Sequence, residues 1–434
     1  MDNPTRQTLE PRSGRQTGSA RSRATLASLV ALALLGLAGC GNSDGSASPA
    51  TPTGTDQATG STPVKVGLLN PVNGGATAPG ASQGANAGVA FANGNLGGIG
   101  GRPVQVVNCD VDVLSPESNI NCANQFAKDG VVAVIDAFNP SAGAALPILQ
   151  SAKIPIIGPL AFDPTLGSAP DSRVYFGPAP AAFLLGAMQS LKEQGFSSIT
   201  LANLDDPTGH ATIDKILKPL GAQLGLDVKA IYFPPANPNF NVLASSIKST
   251  GSEVAGLLVT LNEAMCTNLF KAMVNVGFDG TPFMASCSNF IGKLGSKAVG
   301  AETYSSVWLP QAQKQAPAEI QKNLSAAAPY MAAERGPSDW NAYAAFATVV
   351  DLTRILDQAK VSNPTGESVL STLKAVKGYQ SFLGPQLDCT RPTSPNCTTE
   401  IYNFKVTAPN TMEAVGGGTI HPAEQALKAV PGAS

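Results

Sequence analysis

Histidine and charge are scarce in this chain. Only His210 and His421 occur in 434 residues, charged residues make up 13%, and no Cys-x-x-Cys pair is present. A zinc site on the usual cysteine and histidine spacings lacks its ligands, so no metal or other cofactor is expected. The 28 basic and 30 acidic residues nearly balance, which leaves no basic footprint for nucleic acid. The sequence is read as carrying neither a Gly-x-Ser-x-Gly nucleophile elbow nor a Gly-x-x-x-x-Gly-Lys-Ser/Thr phosphate loop. The glycine-rich stretch at 94–101 lies at a helix end before a strand, the wrong context for a dinucleotide loop. A lone histidine opening a helix, His210 in Pro-Thr-Gly-His, is usually structural. An enzyme is not expected. Long apolar runs are missing too: Ala24–Gly39 falls short of the roughly 20 residues that span a bilayer comfortably, and no later run is long enough.

What the N-terminus does hold is a set of export signals. Arg6, Arg12, Arg15, Arg21 and Arg23 stand against Asp2 and Glu10 ahead of the apolar run, the order of a secretory signal. The run ends in Leu37-Ala38-Gly39-Cys40, which resembles the lipobox of bacterial lipoproteins. That resemblance implies a signal peptide over 1–39 and a diacylglycerol on the Cys40 thiol. Gly41–Thr62 contains no large apolar residue, so it cannot offset its own ordering entropy and reads as a flexible tether, with 40–62 as the anchor segment.

About 395 residues follow the signal, more than one core usually holds, which suggests two domains. Five basic and two acidic residues belong to the signal, leaving 23 and 28 and a net charge of −5. Six cysteines remain after Cys40: Cys109, Cys122, Cys266, Cys287, Cys389 and Cys397. An even number in an oxidising compartment reads as disulfides; six allow 15 pairings, of which sequence neighbours are the simplest. Each such bond would contribute about 2–3 kcal/mol.

The body alternates short apolar strands with helices. Strands at 64–69, 103–108, 131–135 and 154–157 are separated by helices at 80–95, 117–128 and 141–151. After Pro180 the pattern resumes, with helices at 181–193, 208–224, 240–249 and 263–276 and strands at 199–202, 228–233, 254–259 and 282–285. Apolar strands of this kind are buried on both faces, as in a parallel sheet. The expected class is α/β, with two doubly wound parallel-sheet lobes and a cleft between them.

The stretch KVGLLNPVNGG, then GASQGANAGVAFANGNLGGIGGRPVQVVNCDVD, is similar to the start of the branched-chain amino-acid-binding (Leu/Ile/Val-binding) proteins of ABC importers. VVAVIDAFNPSAGAALPILQSAKIPIIGP, LDDPTG, VAGLLV and DWNAYAAFATVVDL continue the likeness, in order, over nearly all of Val64–Val406. The resemblance implies a type I periplasmic binding fold with a multi-strand hinge near Pro178–Pro180, Ser306–Pro310 and Ser381–Pro385. It places 63–178 plus 311–380 in a first lobe and 179–310 plus 381–434, including a strand at 399–406, in a second. It also implies a monomer that passes its solute to a membrane permease; a sensor lipoprotein signalling to a membrane partner is the alternative.

In such folds ligands sit beyond the carboxyl ends of the strands. Asp136–Ser141 leads from a strand into a helix, whose N-terminus suits an anion. Ser141, with Asn139 beside it, matches the family's carboxylate-binding serine. Phe162 stands where relatives often carry a hydroxyl. The family's acid for an amino group falls near Ser286–Ser288, where none stands, and the walling aromatics are replaced by Pro79 and Ser338. A cationic group would then be met by Glu263, Asp163 or Asp206, and Phe162 and Trp340 could stack on the solute. The expected solute is a small amino acid, carboxylate or amide, with a carboxylate or amide preferred. Replacing Cys40 by alanine should release the protein from membranes into the soluble fraction. Retention equal to wild type in detergent partitioning would refute the anchor.

Overall fold

The computed structural model describes residues 57–74, 77–234, 237–257 and 262–423, with Ala426 and Lys428. The expected signal, Cys40 and most of the tether lie outside the described residues. The chain opens with β1 (Val64–Asn73), α1 (Gly80–Asn95), β2 (Val104–Asp112), α2 (Pro116–Asp129) and β3 (Val134–Asp136). Next come α3 (Leu146–Ser151), β4 (Ile156–Gly158), α4 (Pro164–Gly167) and β5 (Arg173–Tyr175). These five strands form one parallel sheet in the order β2-β1-β3-β4-β5.

The second sheet begins after α5 (Pro180–Glu193), with β6 (Ser198–Leu204), α6 (Pro207–Thr212), α7 (Lys218–Leu224) and β7 (Asp227–Phe233). It continues through α8 (Phe240–Ser249), β8 (Val254–Leu257), α9 (Glu263–Asn275), β9 (Thr281–Met284), α10 (Asn289–Leu294) and β10 (Glu302–Ser305). The chain then returns to the first sheet as α11 (Ala318–Ala333), α12 (Trp340–Gln358) and α13 (Gly366–Lys374), followed by the ribbon β11 (Lys377–Gln380) and β12 (Gln386–Asp388). The hairpin β13 (Ile401–Ala408) and β14 (Thr411–Ile420) closes the second sheet, ordered β14-β13-β10-β9-β8-β6-β7.

Packing explains the arrangement. β3, β4 and β8 are buried along their whole length, as strands covered on both faces must be. The two helices α1 and α12 cover the first sheet together, and they touch at Gly84. A Cβ there would lie 1.9 Å from the Ala342 carbonyl oxygen, so only glycine permits the approach. The three neighbouring cysteine pairs are bonded: Cys109–Cys122 pins α2 to β2, Cys266–Cys287 ties α9 to the loop after β9, and Cys389–Cys397 closes a short loop.

Several details differ from the expectation. Residues 141–151 form a 3-10 turn at Ala142–Ala145 before α3, where Pro147 lacks the N–H that a continuous helix would use. The helix expected at 208–224 is divided by a wide π turn at Ile213–Leu217 just before Pro219, for the same reason. β5 is too short to carry a period, and β14 is interrupted by Gly416–Gly418, all with positive φ. The segment before β13 does not lie wholly with the second sheet: Tyr175 N–H donates to Pro395 O at 2.7 Å, and Asn396 pairs with Tyr175 beside the first.

Where the chain passes between sheets, one carboxylate organises the turn. Asp351 of α12 accepts from Tyr379 Oη (2.9 Å), Ser381 Oγ (2.6 Å) and Phe382 N (2.8 Å). Trp308 N in turn donates to Leu383 O at 2.8 Å, joining two of the expected hinge segments. Burial pushes the Asp351 carboxyl up to about 6, against the pull of these three donors. Asp351→Ala would leave them unsatisfied and should cost about 3 kcal/mol. The check is a lower urea midpoint at unchanged m-value; a midpoint equal to wild type would show that the turn does not depend on this carboxylate.

Candidate functional site

The carboxyl ends of the first sheet carry two loops, one after β3 and one after β4. Asp136 ends β3 and is fully buried; it accepts Asn139 N at 3.0 Å and Tyr175 Oη at 2.9 Å. Burial, opposed by these bonds, raises its carboxyl to about 7. Asn139 is fully buried as well. Its Oδ1 accepts Ser141 N (3.0 Å) and Ser141 Oγ (3.2 Å), and its Nδ2 donates to Asn119 Oδ1 at 2.6 Å. Asn119 Nδ2 donates to Ser141 Oγ at 2.8 Å, so α2 braces the loop from behind. Ser141 is half-buried and makes no side-chain cap of the turn that follows.

The anion position at that turn is filled from within the protein. Asp163, after β4, accepts Gly143 N at 2.7 Å through Oδ2 and Thr165 N at 2.8 Å through Oδ1. A Cβ on Gly143 would meet Asp163 Oδ2 at 2.6 Å, so the glycine makes room for the carboxylate. Ala142 and Ala144 N–H groups are bonded to Asn139 and Ser141 carbonyls. Asp163 and Asn139 are thereby committed to holding the loop; the half-buried Ser141 hydroxyl bonds Asn119 and Asn139, and the Phe162 ring lies 5.8 Å from that of Phe138.

Aromatic rings fill the junction of the lobes. Trp340, the first residue of α12, lies 4.6 Å from Phe138 and 6.3 Å from Phe162 between ring centroids. Phe183 of α5, which packs with the second sheet, stacks on it at 5.7 Å with the planes 21° apart. The indole N–H donates to Ser306 Oγ at 2.9 Å, just beyond β10. Such contacts are each worth about 0.5–1.5 kcal/mol beyond burial. Phe138 (φ 65°) and Ser286 (φ 61°), one at each lobe's strand ends, hold left-handed backbone, a strained choice for these residues that concentrates at binding sites.

The second lobe contributes Glu263. Its carboxylate, from the first turn of α9, accepts Ser288 N and Asn289 N, each at 3.0 Å. An acid therefore does reach the Ser286–Ser288 position in space, from a different element. Burial raises it to about 8, the neighbouring Asp339 charge adding to the shift. Asn289 Nδ2 reaches across to Asp339 Oδ2 at 2.9 Å, and Asp339 caps α12 through Ala342 N. Asp206 stands on the same lobe and caps α6 through Gly209 N at 2.6 Å.

Ser141, Asn139, Phe162 and Asp163 thus come together, and Glu263 faces the first lobe through Asn289. Sequence reasoning missed Asn119, Phe138, Phe183, Asn289 and Asp339. Only Asp339 had a local signal, as an acid immediately before a helix. A cavity of about 440 Å³ lies to one side, lined by Gln311, Gln313, Lys314, Gln321, Ser338 and Asn410, away from the two strand-end loops.

One sequence expectation is corrected. The Gly-x-Ser-x-Gly spacing does occur, at Gly80-Ala81-Ser82-Gln83-Gly84, but it opens α1. Ser82 Oγ lies 3.3 Å from Pro79 O and 3.3 Å from Gln83 Oε1, and Gly80 and Gly84 make room for Asp339 and α12. The glycines serve packing. The same spacing at 41–45 lies outside the described residues.

A family model described as periplasmic binding protein matches residues 63–406. No curated protein matches the sequence. Among solved structures the chain is similar to a fatty acid ABC transporter substrate-binding protein from Thermomonospora curvata, at 14% identity and TM-score 0.67, over 87% of this chain and 98% of that one. It is similar also to a solute-binding protein of an ABC transporter from Rhodopseudomonas palustris in complex with 3,4-dihydroxybenzoic acid (18%, TM-score 0.65, 85% and 99%). A leucine binding protein from Thermotoga maritima gives 16%, TM-score 0.62, 83% and 99%.

Trp340→Ala should cost about 3–5 kcal/mol by emptying the aromatic junction. Chemical denaturation measures it; a loss below about 1 kcal/mol would mean that the ring is dispensable to the junction of the lobes.

Proposed function

The chain belongs to the periplasmic binding protein family, and from that premise we propose that it captures a small solute outside the cytoplasmic membrane and delivers it to an ABC importer. The observation that carries this reading is the aromatic junction at the strand ends, where Trp340 of one lobe stacks on Phe183 of the other. A solute entering there meets an apolar wall from Phe162 and Trp340, a hydroxyl from Ser141 and a carboxylate from Glu263. The solute is a small amino acid, carboxylate or amide whose acceptor end bonds Ser141 and whose body lies on the rings. When the Ser141 hydroxyl turns to the solute, Asn139 Oδ1 keeps the Ser141 N–H, so the loop holds its shape. All three acids named for a cationic or N–H end already hold backbone donors, Asp163 and Asp206 as caps and Glu263 at Ser288 and Asn289, which favours a solute without a cationic end.

The relatives' ligands agree in chemistry: a fatty acid, a dihydroxybenzoic acid and leucine each join a carboxyl to an apolar body. The mechanism is closure about the segments near 178–180, 306–310 and 381–385, with ligand contacts to both lobes shifting the population toward the closed form. Among the described residues no helix is long and apolar enough to cross a membrane. Membrane attachment falls to a lipid on Cys40, with a monomeric binding domain beyond the tether; the tether ends earlier than the expected residue 62, because Ala58, Thr59 and Gly60 N–H groups already bond Asn93 and Gly101 carbonyls and Arg102 donates to Thr62 O.

A thermal-shift panel of aromatic and aliphatic carboxylates, their amides, and leucine, isoleucine and valine tests the solute class. A ligand of the native state raises Tm by mass action, and the acids or amides with an apolar body should do so most. Calorimetry on the strongest hit should then show Ser141→Ala weakening binding by roughly tenfold or more, the loss of one hydrogen bond to a charged group. Unchanged affinity would restrict Ser141 to a structural role. Sub-micromolar binding of leucine, isoleucine or valine would overturn the preference for simple carboxylates and amides.

A further inference from the structure

A polar cluster lies inside the second lobe. Glu302 and Tyr304 stand two residues apart on β10, so their side chains share one face of the sheet. Asn403 of β13 pairs directly with Tyr304 in the antiparallel register and takes the same face. α5 covers that face and brings Ser190 and its C-cap Gln194. Glu302 opens β10, which runs parallel to β9, so the cluster sits at the end of the sheet remote from the strand-end loops. Glu302, Tyr304 and Asn403 have no solvent exposure and Ser190 is buried; Gln194 alone of the five is half-buried.

The hydrogen bonds leave two oxygens over. Glu302 Oε2 accepts Gln194 Nε2 at 3.0 Å and Asn403 Nδ2 at 3.2 Å, with the Tyr304 hydroxyl at 3.5 Å. Asn403 Nδ2 also donates to Ser190 Oγ at 2.8 Å. Glu302 Oε1 and Asn403 Oδ1, the second oxygens of two groups already in contact, are buried and accept no hydrogen bond among the described residues. Turning the Asn403 amide over would set its oxygen against Glu302 Oε2, so the bonds fix the oxygen where it stands. No basic side chain lies within 4 Å of the Glu302 carboxylate among the described residues. Glu193 adds a second negative charge beside Tyr304, and the last turn of α5 presents the negative end of its dipole.

We propose that Glu302 Oε1 and Asn403 Oδ1 bind an alkali-metal cation, sodium or potassium, which neutralises the buried carboxylate and ties β10, β13 and α5 together.

Charge decides against the simpler occupant. A water would donate to both oxygens, yet it would leave an ionised carboxylate out of bulk solvent with no opposite charge, a costly arrangement. The donors are oxygens without cysteine or histidine, which suits a hard cation rather than zinc. One carboxylate balances one positive charge, and calcium takes about 6–8 oxygen ligands, more than the cluster offers. The site lies within one lobe and is independent of the solute, so its failure would leave the solute-binding reading standing.

Thermal melts of the intact chain at fixed ionic strength, with sodium or potassium chloride replacing tetramethylammonium chloride, read the site directly. Above its dissociation constant the cation should raise Tm by about 2 °C for each tenfold rise in concentration. Glu302→Gln preserves the shape, removes the charge and supplies an amide N–H for Asn403 Oδ1, so it should melt at one temperature in all three salts. Asn403→Ala retains the carboxylate but loses one oxygen, and should need about tenfold more cation for the same rise. Equal wild-type melting in the three salts, or a Glu302→Gln protein with the wild-type cation response, overturns the proposal and assigns the two oxygens to a water or a proton.

Discussion

The two lobes meet on one aromatic side chain. Trp340 begins α12, packs on Phe138 of its own lobe, stacks on Phe183 of the other, and donates its indole N–H to Ser306 between them. An indole can do this because one molecule of side chain offers two large faces and a single polar edge. Its backbone is placed by α12, whose first turn is capped by Asp339 and whose approach to α1 is allowed by Gly84.

Around this junction backbone donors at strand ends are matched by internal carboxylates. Asp136 holds the loop after β3, Asp163 the turn after it, Glu263 the start of α10, and Asp351 the turn near 381. Burial raises the carboxyls of Asp136, Glu263 and Asp351. A buried carboxylate is tolerated because two or three N–H or O–H donors meet it, and removing one partner costs more than the bond contributes. The consequence for binding is that the loop amides are already occupied.

The three disulfides fit the same logic of local bracing. Two of them join a helix or strand to the element beside it, and the third closes the loop that runs past Tyr175. None joins the first sheet to the second.

Much of the architecture was legible in the chain itself. Apolar strands such as Val254–Leu257 and caps such as Asn239 before α8 are local signals, because burial and capping act over a few residues. The neighbouring cysteine pairs needed only short loops. Non-local partners had no such signal. Phe183 and Trp340 are far apart in sequence, as are Asn289 and Asp339, and only the crossing of the chain between two sheets brings each pair together. Glu263 is the clearest case: the sequence shows an acid missing near Ser286, and only the packing of α9 beside β9 delivers one there. Periodicity, export signals and cysteine parity were written locally and determined by the sequence alone; which side chains face each other across the cleft was decided by tertiary structure, because that contact depends on distance in space rather than along the chain.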